Sequence, residues 1–428
     1  MCEHGSRPPL PPGPWLVVGL ARSGLAAARA LLARGEQVVA VDRGSPAVLP
    51  DGIEAYAQTD GLAHLADARA VVKSPGVPRE APVIAAACER GIPVLGELEL
   101  GWRLLPNEFI AVTGTNGKTT TVELLGHIHR EAGLPVAVAG NVGTAVSGLV
   151  GSLGAGATVV CEASSFQLED TLEFAPEGAV LLNVEADHLD RHGTLEDYRA
   201  AKLRAFARQG NDDIAVFPFG TAIADLGGCA RRVAFGPGGE LDDRAGRLWW
   251  DDEPLIAHDE IRLRGAHNRA NAAAAAAIAL ARGIDGDAVR AALRTFAGVE
   301  HRLEEVGLVE GVLFVNDSKA TNVASTLVAL ASFPADARVH LILGGQGKGQ
   351  SFAPLRDKAL RNYLIGEDAG QIGAEAGGEQ CGDLATAVRR ARAAAAAGDV
   401  VLLSPACASF DQFADFEARG RAFKALVN

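Results

Sequence analysis

The sequence predicts an α/β protein whose parallel sheets are covered by helices on both faces. Two observations carry this prediction. Short apolar segments alternate with segments of helical periodicity along the whole chain, which is typical of parallel sheets buried on both faces. Polar, glycine-rich stretches follow several of these apolar segments, at the position where doubly wound sheets bind ligands. Three such blocks can be drawn, over residues 1–106, 107–298 and 299–428.

The first block has the strand–helix alternation of a Rossmann-like domain. It opens with WLVVGL at 15–20, which we expect to be a strand, and a turn and a helix over 24–35 follow. The next expected strands are QVVAVD at 37–42, AVVKSP at 70–75 and PVLGELEL at 93–100.

The second block begins with EFIAVTG at 108–114, a predicted strand that leads directly into the glycine-rich loop TNGKTT. A charged segment over 241–260, which carries Trp249 and Trp250, is predicted to be a peripheral hairpin. Further strands are expected over 135–140, 157–164 and 178–184, and a helix over 267–283.

The third block is again predicted to be Rossmann-like, since apolar strands alternate with a long helix. The expected strands are VLFVND at 312–317, RVHLILGG at 338–345 and DVVLLSP at 399–405, and the helix covers 383–398.

Composition excludes several classes of function. The chain has 428 residues, of which 48% are hydrophobic and 22% charged, as in globular proteins. A formal net charge of −13 argues against nucleic acid or an anionic membrane as the main partner. Six scattered cysteines without a C-x-x-C pair fit a reducing compartment and predict no zinc site. No apolar run approaches the ~18 residues that span a bilayer. We therefore expect a cytoplasmic protein without membrane insertion.

The loop VTGTNGKTTT at 112–121 is predicted to bind the phosphates of a nucleoside triphosphate. The usual pattern G-x-x-x-x-G-K-[ST] has a glycine five residues before Gly117, where this sequence has Val112. The expected strand before the loop and helix after it nevertheless supply the required context. Lys118 could neutralise the terminal phosphates and Thr119 could bind Mg²⁺. An ordinary glycine-rich turn is the alternative, which G-K-T directly after a strand disfavours.

A second glycine-rich turn, from Gly19 to Gly24, follows the first predicted strand. Asp42 closes the next strand, near the spacing at which dinucleotide-binding folds place a ribose-binding acid. However, Ala21 stands where the second glycine of G-x-G-x-x-G belongs. NAD binding and a tight turn without a ligand are therefore both compatible with this segment.

Two further segments could bind metal. Glu162 ends a predicted strand beside the phosphate loop, so it could bind Mg²⁺, while the serines after it could cap a helix. His188 lies in a polar D-H-x-D segment at 187–190, and Lys202 lies on the helix that follows. Considered alone, the D-H-x-D segment could be an ordinary polar loop, and Lys202 could be an ordinary solvent-exposed lysine.

Polar clusters also follow the strands of the third block. They lie at 316–322, 344–349 and 404–413, and together they suggest a ligand face at the carboxyl edge of one sheet. Asn268 and Asn271, three residues apart on one helix face, could bind a nucleotide base or cap the helix.

Together, these motifs resemble those of the muramyl ligases, ATP-dependent enzymes that build the peptide stem of peptidoglycan. T-G-T-N-G-K-T-T, G-x-H-N-x-x-N from Gly265 and H-R-x-E from His301 mark that superfamily, and the resemblance covers nearly the whole chain. G-x-x-x-S-G at Gly19, NDSKATN at 316–322 and SPACASFDQF at 404–413 are similar to the member that adds D-glutamate.

The resemblance implies an amide-forming ligase that joins D-glutamate to UDP-N-acetylmuramoyl-L-alanine (UDP-MurNAc-L-Ala) through an acyl phosphate. ATP would be converted to ADP and phosphate, with Mg²⁺ at two sites. The implied fold has a Rossmann-like N-terminal domain, a P-loop ATP-binding central domain and a Rossmann-like C-terminal domain. A monomer is implied, with these small molecules as its partners.

The resemblance also implies a role for each matching residue. The catalytic residues would be Lys118, Glu162, His188, Lys202 and Lys319. ATP would be bound by Gly114, Thr115, Asn116, Gly117, Lys118, Thr119, Thr120, Asn268, Asn271, Arg302 and Asp317. The UDP-linked substrate would be bound by Gly19, Ser23, Gly24, Asp42, Ser74, Pro75, Gly76, Asn141 and His188. D-Glutamate would be bound by Thr321, Lys348, Ser409 and Phe410. The metal ligands would be Thr119, Glu162, His188 and Lys202, the last as a carbamate.

Two positions depart from the family pattern. Arg43 stands where a small hydroxyl residue that contacts uracil is expected, which leaves uracil recognition open, and Glu300 stands where proline is usual.

Rival functions fit parts of the sequence. A folate-glutamylating enzyme of the same superfamily would not need the first block, a non-catalytic regulator would not need the whole residue set, and an NAD-binding protein rests on the first turn alone.

Overall fold

The structure is a computed structural model that describes residues 7–46, 52–222, 226–347 and 349–427. Within those residues the chain forms three separate sheets. Contacts divide it into two compact units, Met1–Ile261 with Ala270–Arg294, and Arg262–Arg269 with Thr295–Asn428. The first unit contains two of the three sheets, so the boundaries of the three domains stay a prediction.

The first sheet is parallel throughout, with the order β3-β2-β1-β4-β5. Its central strands β1 and β4 are fully buried, as the unbroken apolar runs predict. The strands are β1 (Trp15–Val18), β2 (Val38–Val41), β3 (Glu54–Tyr56), β4 (Ala70–Lys73) and β5 (Val94–Gly96). The helices are α1 (Arg22–Ala33), α2 (Pro82–Glu89) and α3 (Glu97–Leu104).

Helix α1 packs very closely on the turn after β1. A Cβ on Gly24 would lie only 1.7 Å from the carbonyl oxygen of Gly19, so only glycine fits there. One prediction for this sheet was partly wrong. The segment 93–100 is a strand only as far as Gly96, and helix α3 begins at Glu97. Buried residues continue through the helix, and a short apolar run does not separate a strand from a buried helix.

The second sheet has the order β14-β13-β12-β11-β10-β9-β6-β8-β7. Its strands are β6 (Phe109–Thr113), β7 (Val136–Gly140), β8 (Thr158–Glu162), β9 (Gly178–Leu181), β10 (Ile214–Pro218), β11 (Arg231–Phe235), β12 (Leu241–Arg244), β13 (Arg247–Trp250) and β14 (Glu253–Ala257). Neighbours from β7 to β12 pair in parallel, so their carboxyl ends meet at one edge. The antiparallel β12, β13 and β14 confirm the predicted hairpin over 241–260.

Six described α-helices lie between or after the strands of this sheet along the chain. They are α4 (Lys118–Glu131), α5 (Ser165–Glu169), α6 (Leu189–His192), α7 (Leu195–Leu203), α8 (Ala266–Ala281) and α9 (Gly286–Thr295). Ser164 begins α5 with a capping box in which its side chain and that of Gln167 each bond the other's backbone amide. Such a cap stabilises a helix by about 1 kcal/mol. Its presence confirms the helix-capping interpretation of the serines after Glu162.

The third sheet has the order β15-β16-β20-β17-β18-β19, and only its edge strand β15 pairs antiparallel among the described strands. Its strands are β15 (Glu304–Val309), β16 (Val312–Asn316), β17 (Val339–Gly344), β18 (Arg361–Ile365), β19 (Glu379–Gly382) and β20 (Val400–Leu403). Its helices are α10 (Val323–Leu330), α11 (Ala369–Ala376), α12 (Leu384–Ala394) and α13 (Phe416–Val427). Two layers of apolar side chains cover its faces. Among all described helices, none is both long and apolar enough to cross a membrane.

Candidate active site

The predicted phosphate loop connects β6 directly to α4. Gly117 has a φ of 87°, a backbone conformation that residues with a side chain rarely adopt, and α4 begins at the next residue. A Cβ on Gly117 would lie 2.1 Å from Oδ1 of Asn271, so this glycine also makes room for the asparagine. The structure therefore brings Asn271, one of the two predicted base-contacting residues, against the loop.

Asn183, which follows β9, holds the loop in shape. Its Oδ1 accepts hydrogen bonds from the backbone amides of Thr115 and Asn116 at 3.0 and 2.9 Å. Its Nδ2 donates to the carbonyl oxygen of Asn116 at 3.1 Å. Sequence reasoning did not assign Asn183 a role. The available signal was its position, as the first polar residue after an apolar strand that neighbours β6.

Two lysines converge on the same carbonyl of the loop. Nζ of Lys118 and Nζ of Lys202 each donate to the oxygen of Gly114 at 2.8 Å, and Lys118 also donates to the oxygen of Thr115. Lys202 is buried, and its Nζ lies 4.2 Å from the ring centroid of Tyr198. The prediction that a lysine of this helix would be solvated, if read alone, is therefore wrong.

The environment of Lys202 disfavours its charged form. Burial, and then the positive charge of Lys118, lower the pKa of Lys202 to about 7, while Asp187 acts in the opposite direction. At neutral pH, the amine of Lys202 is therefore uncharged in about half of the molecules. A neutral amine can react with CO₂, whereas an ammonium group cannot.

Thr119 and Glu162 meet at the carboxyl edge of the second sheet. Parallel pairing places Glu162 beside Val112 of β6, so the end of β8 lies next to the loop. The hydroxyl of Thr119 donates to Oε2 of Glu162 at 2.8 Å, and Nδ2 of Asn141 donates to Oε1 at 3.0 Å. A hydroxyl and a carboxylate are ligands that Mg²⁺ accepts, so these residues fit a magnesium site.

His188 and Lys202 both lie close to the aromatic ring of Tyr198. His188 precedes α6 with a φ of 52°, and its side chain is 49% exposed. Its ring centroid lies 4.9 Å from that of Phe166 and 6.3 Å from that of Tyr198, the ring over which Lys202 also lies. The structure therefore brings the two predicted ligands of a second metal into one neighbourhood. The side chain of Asp190 is outside the described part.

In the first sheet, the predicted UDP-binding residues surround two adjoining turns. Oδ2 and Oδ1 of Asp42 accept hydrogen bonds from the amides of Leu20 and Gly44 at 2.5 and 2.7 Å. The hydroxyl of Ser74 donates to the carbonyl of Gly19 at 2.9 Å, which joins the turn at 74–76 to the turn at 19–24. Arg43, the residue that departs from the family pattern, is exposed.

In the second unit, Asp317 is buried at the end of β16. Its Oδ2 accepts a hydrogen bond from the hydroxyl of Ser404 at 2.7 Å, and its Oδ1 accepts one from the amide of Leu303 at 3.2 Å. Burial raises the pKa of Asp317 to about 7, while these hydrogen bonds and the charge of Arg302 act against that rise. Arg302 and Asp317, both predicted to bind ATP, are thus electrostatically coupled.

Lys319 and Asn268 also belong to this unit. Nζ of Lys319 lies 3.7 Å from the ring centroid of Phe416, a cation–π contact. Nδ2 of Asn268 donates to the carbonyl oxygen of Arg264 at 2.8 Å, at the beginning of α8. This bond connects the side chain to the residues before the helix, but it is not a helix cap, in which a side-chain oxygen would accept from a backbone amide.

The predicted D-glutamate residues lie on loops of the third sheet. Ser409 is buried, whereas the side chain of Phe410 is 66% exposed and that of Thr321 is partly exposed. Lys348 lies outside the described residues.

Sequence reasoning missed Arg419 of α13, whose buried guanidinium donates to the carbonyl oxygens of residues 318 and 407 at 2.9 and 3.0 Å. No motif pointed to Arg419.

Family models match segments that contain strands of each of the three sheets. The MurD-like N-terminal domain of Mur ligases matches residues 14–96, the Mur ligase middle domain matches 112–279, and the Mur ligase glutamate ligase domain matches 301–407. These three matches follow the chain in the order of the three sheets.

Relatives named UDP-N-acetylmuramoylalanine–D-glutamate ligase match 96% of this chain. The protein of Anaeromyxobacter dehalogenans (strain 2CP-C) is 46% identical over 96% of its own length. That of Solibacter usitatus (strain Ellin6076) is 44% identical over 97% of its length. A solved structure, UDP-N-acetylmuramate-alanine ligase MurC from Thermotoga maritima, shares the fold with a TM-score of 0.60 and 20% identity, covering 96% of this chain and 98% of that one. The chain therefore belongs to the Mur ligase family.

Proposed function

We propose that this chain is the ATP-dependent ligase that joins D-glutamate to UDP-MurNAc-L-Ala, with ADP and phosphate as the other products. The observation that carries the proposal is the match over 96% of both chains to a relative of that name, at 46% identity. The phosphate loop, with Lys118 and Lys202 converging on Gly114, supports the use of ATP.

The reaction has two steps that need positioned charges rather than a protein nucleophile. A carboxylate oxygen of the alanine first attacks the γ-phosphorus, the bond from that phosphorus to the β–γ bridging oxygen breaks, and ADP leaves. The amine of D-glutamate then attacks the acyl carbonyl, phosphate leaves, and the nitrogen loses a proton. Lys118 would hold the terminal phosphates, and Lys319 would face the phosphate that is transferred or the incoming amine.

Thr119 and Glu162 would hold the Mg²⁺ that neutralises phosphate charge. His188 and Lys202 would hold a second ion, with Lys202 converted by CO₂ into an anionic carbamate. The lowered pKa of Lys202 supports this modification, because only the neutral amine reacts. We expect Lys202→Ala to lose activity and to regain part of it with added short carboxylic acids. Absence of any rescue would count against the carbamate.

The remaining assignments are proposals on the same basis. Residues 1–106 would bind the UDP-linked substrate, 107–298 ATP and 299–428 D-glutamate. Gly19, Asp42 and the turn at 74–76 would contact the UDP group, and Asn141 and His188 would lie nearer the muramoyl-alanine end. Asn268, Asn271, Arg302 and Asp317 would bind ATP, and Thr321, Lys348, Ser409 and Phe410 would bind D-glutamate. We expect a monomer that works in the cytoplasm.

Phosphate release from ATP tests the proposal. We expect release to require both UDP-MurNAc-L-Ala and D-glutamate, and to be lost in Lys118→Ala. A panel with L-glutamate, L-alanine and a diamino acid in place of D-glutamate tests specificity. Faster release with any of these than with D-glutamate would contradict the assignment. Release with a folate and L-glutamate, without the UDP-linked substrate, would favour the folate-glutamylating alternative.

A further inference from the structure

A buried lysine donates a hydrogen bond to the turn that we propose to contact UDP. Lys73 is the last residue of β4, directly before Ser74, and its side chain is fully buried. Its Nζ donates to the carbonyl oxygen of Val77 at 2.6 Å, and the amide of Val77 donates back to the carbonyl of Ser74 at 3.0 Å. Lys73 therefore fixes the 74–77 turn from its inner side.

The charge of Lys73 is balanced from the block of the second sheet. Oδ2 of Asp170, the residue after α5, lies 2.6 Å from Nζ of Lys73. The carbonyl oxygen of Asp170 accepts a hydrogen bond from the amide of Gly96 at 3.2 Å, and its Oδ1 lies 3.3 Å from Nε of Arg79. Asp170 thus contacts the first sheet's segments at three points, all within the first compact unit.

The same turn is contacted from the helix that follows His188. The guanidinium of Arg191, in α6, donates to the carbonyl oxygens of Pro75 and Val77 at 3.4 Å each. It also lies over the ring of Phe166, 4.8 Å from its centroid. The turn proposed to bind UDP is therefore connected to the segment proposed to bind the second metal.

A buried pair of this kind is sensitive to the loss of either partner. Burial lowers the pKa of Lys73, while the charge of Asp170 raises it. Removing Asp170 alone would leave a buried ammonium group without its closest counter-charge, which is far more costly than removing both partners. Lys73 would then be expected to leave its position and to lose its hydrogen bond to the carbonyl oxygen of Val77.

We propose that Lys73 and Asp170 are positioning residues for the UDP-linked substrate, because their ion pair fixes the 74–77 turn against the block that carries the phosphate loop and α6. This inference rests on the proposed function. Neither side chain is assigned a contact with the reacting atoms; they act through the backbone of the turn. Their loss should therefore weaken the binding of one substrate selectively.

Steady-state kinetics of Lys73→Met and Asp170→Asn test the inference. We expect the KM for UDP-MurNAc-L-Ala to rise about tenfold or more, because a misplaced binding turn loses substrate contacts. The KM values for ATP and D-glutamate should stay within about twofold of the wild-type values, since other residues would hold those substrates.

The double variant Lys73→Met/Asp170→Asn separates positioning from mere stability. Its thermal midpoint should recover relative to the single variants, since no unpaired charge remains. The KM for UDP-MurNAc-L-Ala should stay raised, because the carbonyl of Val77 still lacks the short bond from Lys73 and keeps only the longer one from Arg191. Recovery of that KM together with stability would overturn the inference, as would a uniform change of all three KM values. The double variant also serves if a single variant does not fold.

A matched control is the exposed ion pair of Arg208 and Glu173, whose closest atoms are 2.9 Å apart. Arg208→Met should leave all three KM values unchanged. If the wild-type enzyme does not use UDP-MurNAc-L-Ala at all, the proposed function fails. If it does, and Lys73→Met leaves that KM unchanged, the inference alone fails.

Discussion

Replacing Lys202 by methionine should stabilise the folded protein more at about pH 6 than at about pH 9. Burial lowers the pKa of this amine to about 7, from the ordinary lysine value of 10.5 that the unfolded chain retains. Below pH 7 the amine is protonated in both states, so the full penalty of burying its charge opposes folding. Above pH 7 the folded protein holds it neutral, and the penalty shrinks as the pH approaches the unfolded pKa.

The size of this effect follows from proton counting. Between about pH 6 and about pH 9 the extra proton of the unfolded chain grows from near zero, through about one half at pH 7, to close to one, and one full proton is worth about 1.4 kcal/mol per pH unit. The free energy of unfolding of the wild type should therefore gain about 3 kcal/mol over this range relative to Lys202→Met. The lost hydrogen bond to Gly114 and the changed packing affect the variant equally at both pH values, so they cancel.

Equilibrium urea unfolding at the two pH values, in buffer free of CO₂, measures this difference. Lys358→Met, at an exposed lysine, is the control and should differ from the wild type by the same amount at both pH values. An equal difference between Lys202→Met and the wild type at about pH 6 and about pH 9 would refute the argument that burial lowers the pKa of this amine.

Three further outcomes are expected. Because the pKa of Asp317 is about 7, kcat/KM for phosphate release should fall below that pH, and Asp317→Asn should remove this limb of the pH profile. Gly117→Ala should raise the KM for ATP about tenfold, since its Cβ would lie 2.1 Å from Asn271 on a backbone with positive φ; an unchanged KM would contradict this. Gly24→Ala should lower the stability measured by thermal unfolding by about 2 kcal/mol, since its Cβ would lie 1.7 Å from the carbonyl oxygen of Gly19.

The sequence predicts the parts of the site that depend on local order. The phosphate loop is recognisable because a buried strand, two glycines and a lysine at a helix start follow one another directly. Glu162 is recognisable because it ends a strand, and parallel pairing beside β6 brings that end to the loop. Both predictions use only local sequence and the rule that parallel strands share a carboxyl edge.

Contacts between distant segments could not be predicted in this way. Nothing near Lys73 indicates that its counter-charge comes from Asp170, and nothing near Arg419 indicates that its side chain holds the loop at 404–413. The boundary between β5 and α3 was wrong because both segments are buried. Which segments pack together depends on the tertiary fold, whereas periodicity reports only how one segment is buried.

The hydrogen bonds of Asn183 have a consequence for the thermodynamics of nucleotide binding. Because its side chain already bonds both the amide and the carbonyl of Asn116, the loop is ordered before any phosphate arrives. The conformational entropy of that segment is thus lost during folding, and little of it remains to be lost on association. Asn183→Ala should therefore make ATP binding entropically less favourable in calorimetry, even though the asparagine is assigned no contact with ATP.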